Sequence, residues 1–378
     1  MLVLVVVLAA CSGSTDGSVE QGGGTWTRLD LEEFSARSNS FVVPFGEELL
    51  VFGGLPASDC PANADCTTPA AFFDGKAFAL DGSRSRQLSD IPVDRRGAWT
   101  TTKNSVFILS GCVPDQGNCT TDRLVRYSVA LDHWDTFDVP AAPTGGVSPG
   151  SAFGELLTVG DDVVFISELN EPTQFAGDLR WDTARKSWDQ LPVLNKGVRE
   201  RRLPVDIDGE LVIFTSAMDS GPGQSVSAYR YDEASDSFVS WPIPDLQVCR
   251  TAAAGHKTYL FPRFDSGTAP GGQYDASINE WTALPPGPGG LPWNCGLMGV
   301  LETQRPTAAG QVGWVYQHNA DVWTLLEHPV LRRSVSAERV FVYDGKVVVH
   351  AGTEHGEGSL WREGSTNFGG TWVWLPNE

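Results

Sequence analysis

The chain has 378 residues, an apolar fraction of 41%, 41 Gly, 24 Pro and a formal net charge of −20. So acidic a surface repels polyanions, which sets aside nucleic acid and anionic lipid and favours a cation, a neutral sugar or a peptide. The length exceeds the roughly 250–300 residues that one hydrophobic core serves, unless the core is divided among repeats.

Residues Met1 to Ala10 are almost wholly apolar. A helix spanning a bilayer needs about 20 apolar residues, so this run reads as the apolar part of an export signal. It ends in Leu8-Ala9-Ala10-Cys11 and is followed by Ser12-Gly13-Ser14. That sequence resembles the bacterial lipobox, and the resemblance implies that Cys11 is acylated and becomes the mature N-terminus. No Lys or Arg precedes the run, unlike an ordinary signal. The expected organisation is a lipoprotein signal over 1–10, a flexible Ser/Gly-rich tether over 11–24 and a folded body over 25–378. The expected location is the extracytoplasmic side of a bacterial cell membrane, held there only by the lipid.

The body opens on Thr25-Trp26-Thr27-Arg28-Leu29. Six short apolar runs then recur, each bounded by Gly, Asp, Ser or another turn former: Leu49 to Phe52, Val106 to Leu109, Val163 to Ile166, Leu211 to Phe214, Thr258 to Phe261 and Lys346 to Val349. Their composition predicts buried strands. A weaker seventh lies near Cys295 to Leu301, with Val312 to Tyr316 following it.

A pair of aromatics separated by seven positions follows these runs: Tyr127/Trp134, Trp181/Trp188, Tyr231/Phe238, Tyr274/Trp281 and Tyr316/Trp323. Asp182, Asp232 and Asp275 directly follow the first ring, and Leu191-Pro192, Trp241-Pro242 and Leu284-Pro285 follow the second. The second rings lie 54, 50, 43 and 42 residues apart. Repeats of this length built of short strands predict a β-propeller. Each unit reads as strands a to d from the axis outward, with the aromatic pair straddling the c–d turn and filling the space between blades. Seven four-stranded blades are expected, six or eight being the alternatives. Trp26 and Trp374 are expected to supply outer strands of one closing blade, which removes an exposed edge.

Gly53-Gly54 after a b run, the Tyr/Trp-Asp-x5-Trp pattern and a recurrent Arg (Arg37, Arg96, Arg202, Arg250, Arg339) resemble the kelch-repeat family across residues 25–376. The resemblance is degenerate, the double Gly standing only once, with partial echoes at Gly111 and Gly352. It implies the propeller fold. It does not imply one function, because that family includes sugar oxidases, sugar isomerases and protein-binding modules.

Antiparallel strands send the b–c and d–a connections to one face of a propeller and the a–b and c–d turns to the other. Cys60, Cys66, Cys112 and Cys119 fall in b–c loops, and Cys249 and Cys295 in successive d–a loops. With Cys11 set apart, six cysteines are an even number, which fits two local disulfides and one long-range one in an oxidising compartment. The long loops fall on the same face, and stapled loops on a rigid body make a binding surface. The five arginines, at equivalent places, are expected around the channel mouth on that face. There they either hold a carboxylate or phosphate or pair with an acid of the neighbouring blade. The six His are scattered, and His350 and His355, four residues between them, are poorly spaced for a metal. No catalytic set, metal or cofactor is assigned. The functional expectation is a monomeric module binding a protein or carbohydrate ligand through its loop face. The alternative is a carbohydrate-active enzyme resembling the periplasmic kelch isomerases of acidic sugars.

Overall fold

Among the described residues every strand pairs antiparallel, and the sheets follow one another in chain order except for one that joins the two ends of the chain. The structure, a computed structural model, describes residues 19–21, 24–29, 31, 37–38, 40–56, 71–93, 97–110, 122–140, 154–168, 177–194, 200–217, 226–245, 250–254, 256–261, 271–284, 311–317, 322–327, 335–343, 346–354, 366–367 and 371–376.

The first described strands are β1 (Val19–Gln21) and β2 (Gly24–Leu29). The first blade follows: β3 (Arg37–Ser38) and β4 (Phe41–Phe45) both pair with β5 (Glu48–Pro56), then come β6 (Phe72–Ala79) and β7 (Ser85–Leu88). The second is β8 (Gly97–Thr101), β9 (Ser105–Ser110), β10 (Arg123–Ser128) and β11 (His133–Asp138). The third is β12 (Gly154–Val159), β13 (Asp162–Ser167), β14 (Leu179–Asp182) and β15 (Ser187–Gln190). The fourth is β16 (Glu200–Ile207), β17 (Glu210–Ala217), β18 (Ser227–Asp232) and β19 (Ser237–Trp241). The fifth is β20 (Arg250–Ala254), β21 (Lys257–Phe261), β22 (Gly272–Asp275) and β23 (Glu280–Ala283). A two-stranded ladder, β24 (Gln311–Gln317) and β25 (Val322–Glu327), comes next. The chain ends with β26 (Val335–Tyr343), β27 (Lys346–Glu354), β28 (Thr366–Asn367) and β29 (Thr371–Pro376).

The fold is an all-β propeller. All six apolar runs lie inside the b strands β5, β9, β13, β17, β21 and β27, as their composition predicts. The blade number differs from the expected seven. Among the described residues six sheets carry four strands or more, and the seventh unit is present as the β24–β25 ladder alone. Its b run at Cys295 to Leu301 lies outside the described residues.

The ring closes as the terminal tryptophans predict. β2 pairs with β29, Trp26 standing opposite Trp374, so the last sheet runs β1-β2-β29-β27-β26. Trp26 is 0% and Trp374 1% exposed. β1 is an addition: Val19 to Gln21, within the expected tether, pair with Trp26 to Gly24.

The core is a series of layers between consecutive blades. Phe52 and Leu50 of the first blade pack with Val106, Ile108 and Tyr127 of the second. Phe107 and Leu124 pack with Phe165 and Trp181 of the third. Ile166 meets Leu211 and Ile213 of the fourth, and Phe214 meets Leu260 and Tyr274 of the fifth. Leu49 and Val51 meet Val348 and Val373 of the closing blade. A b strand buried on both faces must be apolar at every position, which explains the continuous Val/Leu/Ile/Phe runs.

The aromatic pairs are cross-strand neighbours. Tyr127 stands opposite Trp134, Trp181 opposite Trp188, Tyr231 opposite Phe238, Tyr274 opposite Trp281 and Tyr316 opposite Trp323. Ring centroids in the first four pairs are 4.9, 5.3, 5.5 and 5.0 Å apart. The rings also bridge blades: Phe52 stacks edge-on against Trp134, Phe137 lies 4.6 Å from Trp181, and Trp241 lies 4.9 Å from Tyr274.

Two side-chain devices fix the turns inside these pairs, and the Tyr231 and Tyr274 turns have both. Asp182, Asp232 and Asp275 accept backbone N–H bonds from Arg185 (2.6 Å), Ala234 (3.1 Å) and Ser277 (3.0 Å). The residue before the returning strand has positive φ: Asp132 47°, Lys186 54°, Asp236 47° and Asn279 54°. Short polar side chains tolerate that conformation best. Where the first ring is Tyr, its hydroxyl donates to this same residue: Tyr127 to Asp132 at 2.6 Å, Tyr231 to Asp236 at 2.8 Å, Tyr274 to Asn279 at 2.7 Å. Where it is Trp181, with no hydroxyl, the position is Lys186. Asp132 also accepts from the Ser89 N–H of the preceding blade at 2.8 Å. Burial first, then the bond to Asp236, pushes the Tyr231 phenol up to about 12. The Tyr127 phenol is raised further for the same reasons. These hydroxyls therefore remain donors at any physiological pH. Replacing Tyr127 by Phe should cost about 1.5–3 kcal/mol, the range for a hydrogen bond to a charged group, measured by urea unfolding. A change below a few tenths would show the latch to be idle.

Candidate functional site

Connection length separates the two faces. The a–b connections are 46–47, 102–104, 160–161, 208–209, 255–256 and 344–345, two or three residues each. The b–c connections are 57–71, 111–122, 168–178, 218–226 and 262–271, nine residues or more. On the short side, Gly and Asp set the turns, with Gly46 (φ 57°), Gly160 (57°) and Gly209 (85°) in left-handed conformations. The d–a connections share the long side, including 139–153 and 191–199.

By strand order Cys60 and Cys66 fall between β5 and β6, and Cys112 and Cys119 between β9 and β10. Cys249 falls between β19 and β20, and Cys295 between β23 and β24. All six, and Cys11, lie outside the described residues.

The recurrent arginines are seated as follows. Arg37 stands opposite Pro56, Arg202 opposite Thr215 and Arg250 opposite Phe261, all toward the long-loop end of their strands. Arg339, opposite His350, lies midway along β26. Arg96 lies outside the described residues, as do the side chains of Arg250 and Arg339.

Arg37 and Arg202 are internal. The Arg37 side chain is 3% exposed and forks onto Asp74 of its own blade, Nη1 to Oδ1 2.5 Å and Nη2 to Oδ2 2.9 Å. Nη1 also donates to the Gly53 carbonyl at 3.3 Å, and the Phe72 ring centroid lies 4.0 Å from Cζ. Gly53 (φ 62°) and Gly54 (φ 106°) form an irregularity in the β5–β6 register. A Cβ at Gly53 would stand 3.1 Å from the Phe72 carbonyl oxygen and 3.3 Å from Ile91. The double glycine therefore serves backbone geometry and brings a carbonyl to Arg37.

Arg202 bridges blades. Its Nη1 lies 2.5 Å and its Nη2 3.0 Å from the Asp178 carboxylate of the third blade, and both side chains are 0% exposed. Asp178 also accepts from the Ser167 N–H at 3.2 Å, and its carbonyl accepts from Leu191 at 2.9 Å. The Arg202 N–H donates to the Glu168 carbonyl at 2.8 Å, and Arg201 Nε donates to the Glu168 carboxylate at 2.9 Å. The pair thus ties both ends of the 168–178 connection to the fourth blade. Burial pushes the Asp178 carboxyl above its ordinary value, while the Arg202 charge pulls it down.

Among the described residues no group of three or more His, Cys, Asp or Glu could hold a metal. His350 is 1% exposed, and its Nδ1 lies 2.7 Å from the Thr371 hydroxyl. His133 and His256 each lie 3.8 Å from an Asp, Asp135 and Asp275, at the outer strands and turns. The His350 imidazole and the Thr371 hydroxyl do meet, but both are buried, at 1% and 0% exposure, so a substrate does not reach them.

The turn carboxylates give a pH dependence. Hydrogen bonds from Arg185, Ser235 and Ser277 hold Asp182, Asp232 and Asp275 below the ordinary 3.8. At Asp132 burial works upward, but the Tyr127 and Ser89 bonds outweigh it and lower the value. A carboxyl depressed in the folded state stabilises above its unfolded value and loses that contribution as pH falls through the folded one. Thermal stability should therefore drop below about pH 3.8, and Asp182→Asn should flatten that drop. A melting temperature level between pH 6 and pH 3 would contradict these assignments.

No protein-family model matches the chain, and no curated protein matches it.

Proposed function

We propose that the chain is a kelch-type propeller that binds a protein or carbohydrate ligand through its long-loop face. In this reading it is acylated at Cys11 and held as a monomer on the extracytoplasmic side of a bacterial cell membrane. The observation that supports binding is the segregation of connection lengths: two or three residues at the a–b turns against nine or more at the b–c connections. Rigid scaffolds carry recognition on loops of this kind. Support for the kelch type comes from the Gly53-Gly54 irregularity and the cross-strand aromatic pairs. Support for export comes from the lipobox-like Leu8-Ala9-Ala10-Cys11 and from the even cysteines beyond it.

The arginines divide in this reading. Arg37 and Arg202 are posts beneath the loops, since Asp74 and Asp178 engage their guanidiniums. Arg96 and Arg250 are the ligand-facing candidates, and Arg339, midway along β26, stands back from the long-loop end. Disulfides among Cys60, Cys66, Cys112, Cys119, Cys249 and Cys295 hold the loops.

Two measurements test this. Mass spectrometry of the mature N-terminus should find a lipid on Cys11, and Cys11→Ala should move the protein from the membrane fraction to the soluble one. An unmodified Cys11 refutes the anchor. Oligosaccharide and peptide arrays should then be probed before and after mild reduction. Binding should be lost while the melting temperature of the body holds. Binding that survives reduction but is lost on substitutions in the a–b turns would place the site on the other face.

A further inference from the structure

We draw no further inference here: the strongest candidate, the 38%-exposed Phe72 ring seated on the Arg37 guanidinium at the long-loop end of the first blade, is an apolar face for which nothing in the structure shows what covers it.

Discussion

Replacing Arg202 by Met should lower the unfolding free energy by about 3–5 kcal/mol, because it leaves the Asp178 carboxylate buried without its cation. Asp178 is 0% exposed, so it cannot recover by turning to water. Its remaining donor among those described, the Ser167 N–H at 3.2 Å, does not replace a charged fork. Replacing Asp178 by Leu and Arg202 by Met together should recover much of the loss, since a buried ion pair exchanged for apolar groups of similar volume is often neutral or better. A double-mutant cycle in urea reads the coupling. The single variant should also speed amide exchange in residues 168–178, whose end residues Glu168 and Asp178 both contact Arg202. If the single variant keeps wild-type stability, Arg202 has no structural duty, and its role as a post beneath the loops is refuted.

The second large effect concerns closure. Deleting residues 1–29 removes β2 and turns β29 into an open edge, with Trp374, Trp372 and Val373 losing their covering strand. An uncovered apolar edge strand recruits other chains. The truncated protein should therefore lose its native tryptophan circular dichroism and self-associate on gel filtration. A peptide spanning residues 18–30 should restore the monomer in part. Trp26→Ala alone should cost about 3–5 kcal/mol, as for other large buried aromatics. A truncated chain that stays monomeric and melts at the wild-type temperature would show that the ring does not depend on its N-terminal strand.

The legibility of the individual blades had one physical source. A tight turn between two strands fixes the distance between residues that face each other, so the interval of seven from Tyr127 to Trp134 encodes a register. Trp26 and Trp374, separated by nearly the whole chain, were legible for another reason, the need of a ring to close its exposed edge. What escaped was either local and small or distant and aperiodic. β1 lies in a Ser/Gly-rich stretch whose composition reads as tether, and only its pairing with β2 makes it a strand. The Asp or Asn five residues after each Tyr was present in the sequence as a signal: a residue tolerant of positive φ, replaced by Lys186 where Trp181 stands. The same interval joins Tyr316 to Asp321.

The arginines show the other limit. Their recurrence was legible, but their partners were not, because Asp74 lies 37 residues from Arg37 in the same blade while Asp178 lies 24 residues from Arg202 in the preceding one. Periodicity identifies equivalent places on a scaffold. It does not say whether a carboxylate rises to meet each of them.

The most direct test of the proposed disulfide-stapled loop face is peptide mapping of the freshly isolated, unreduced protein by mass spectrometry. Three bridges should appear, Cys60 to Cys66, Cys112 to Cys119 and Cys249 to Cys295, with no free thiol. Six free thiols in freshly extracted protein would contradict both the oxidising compartment and the stapled face.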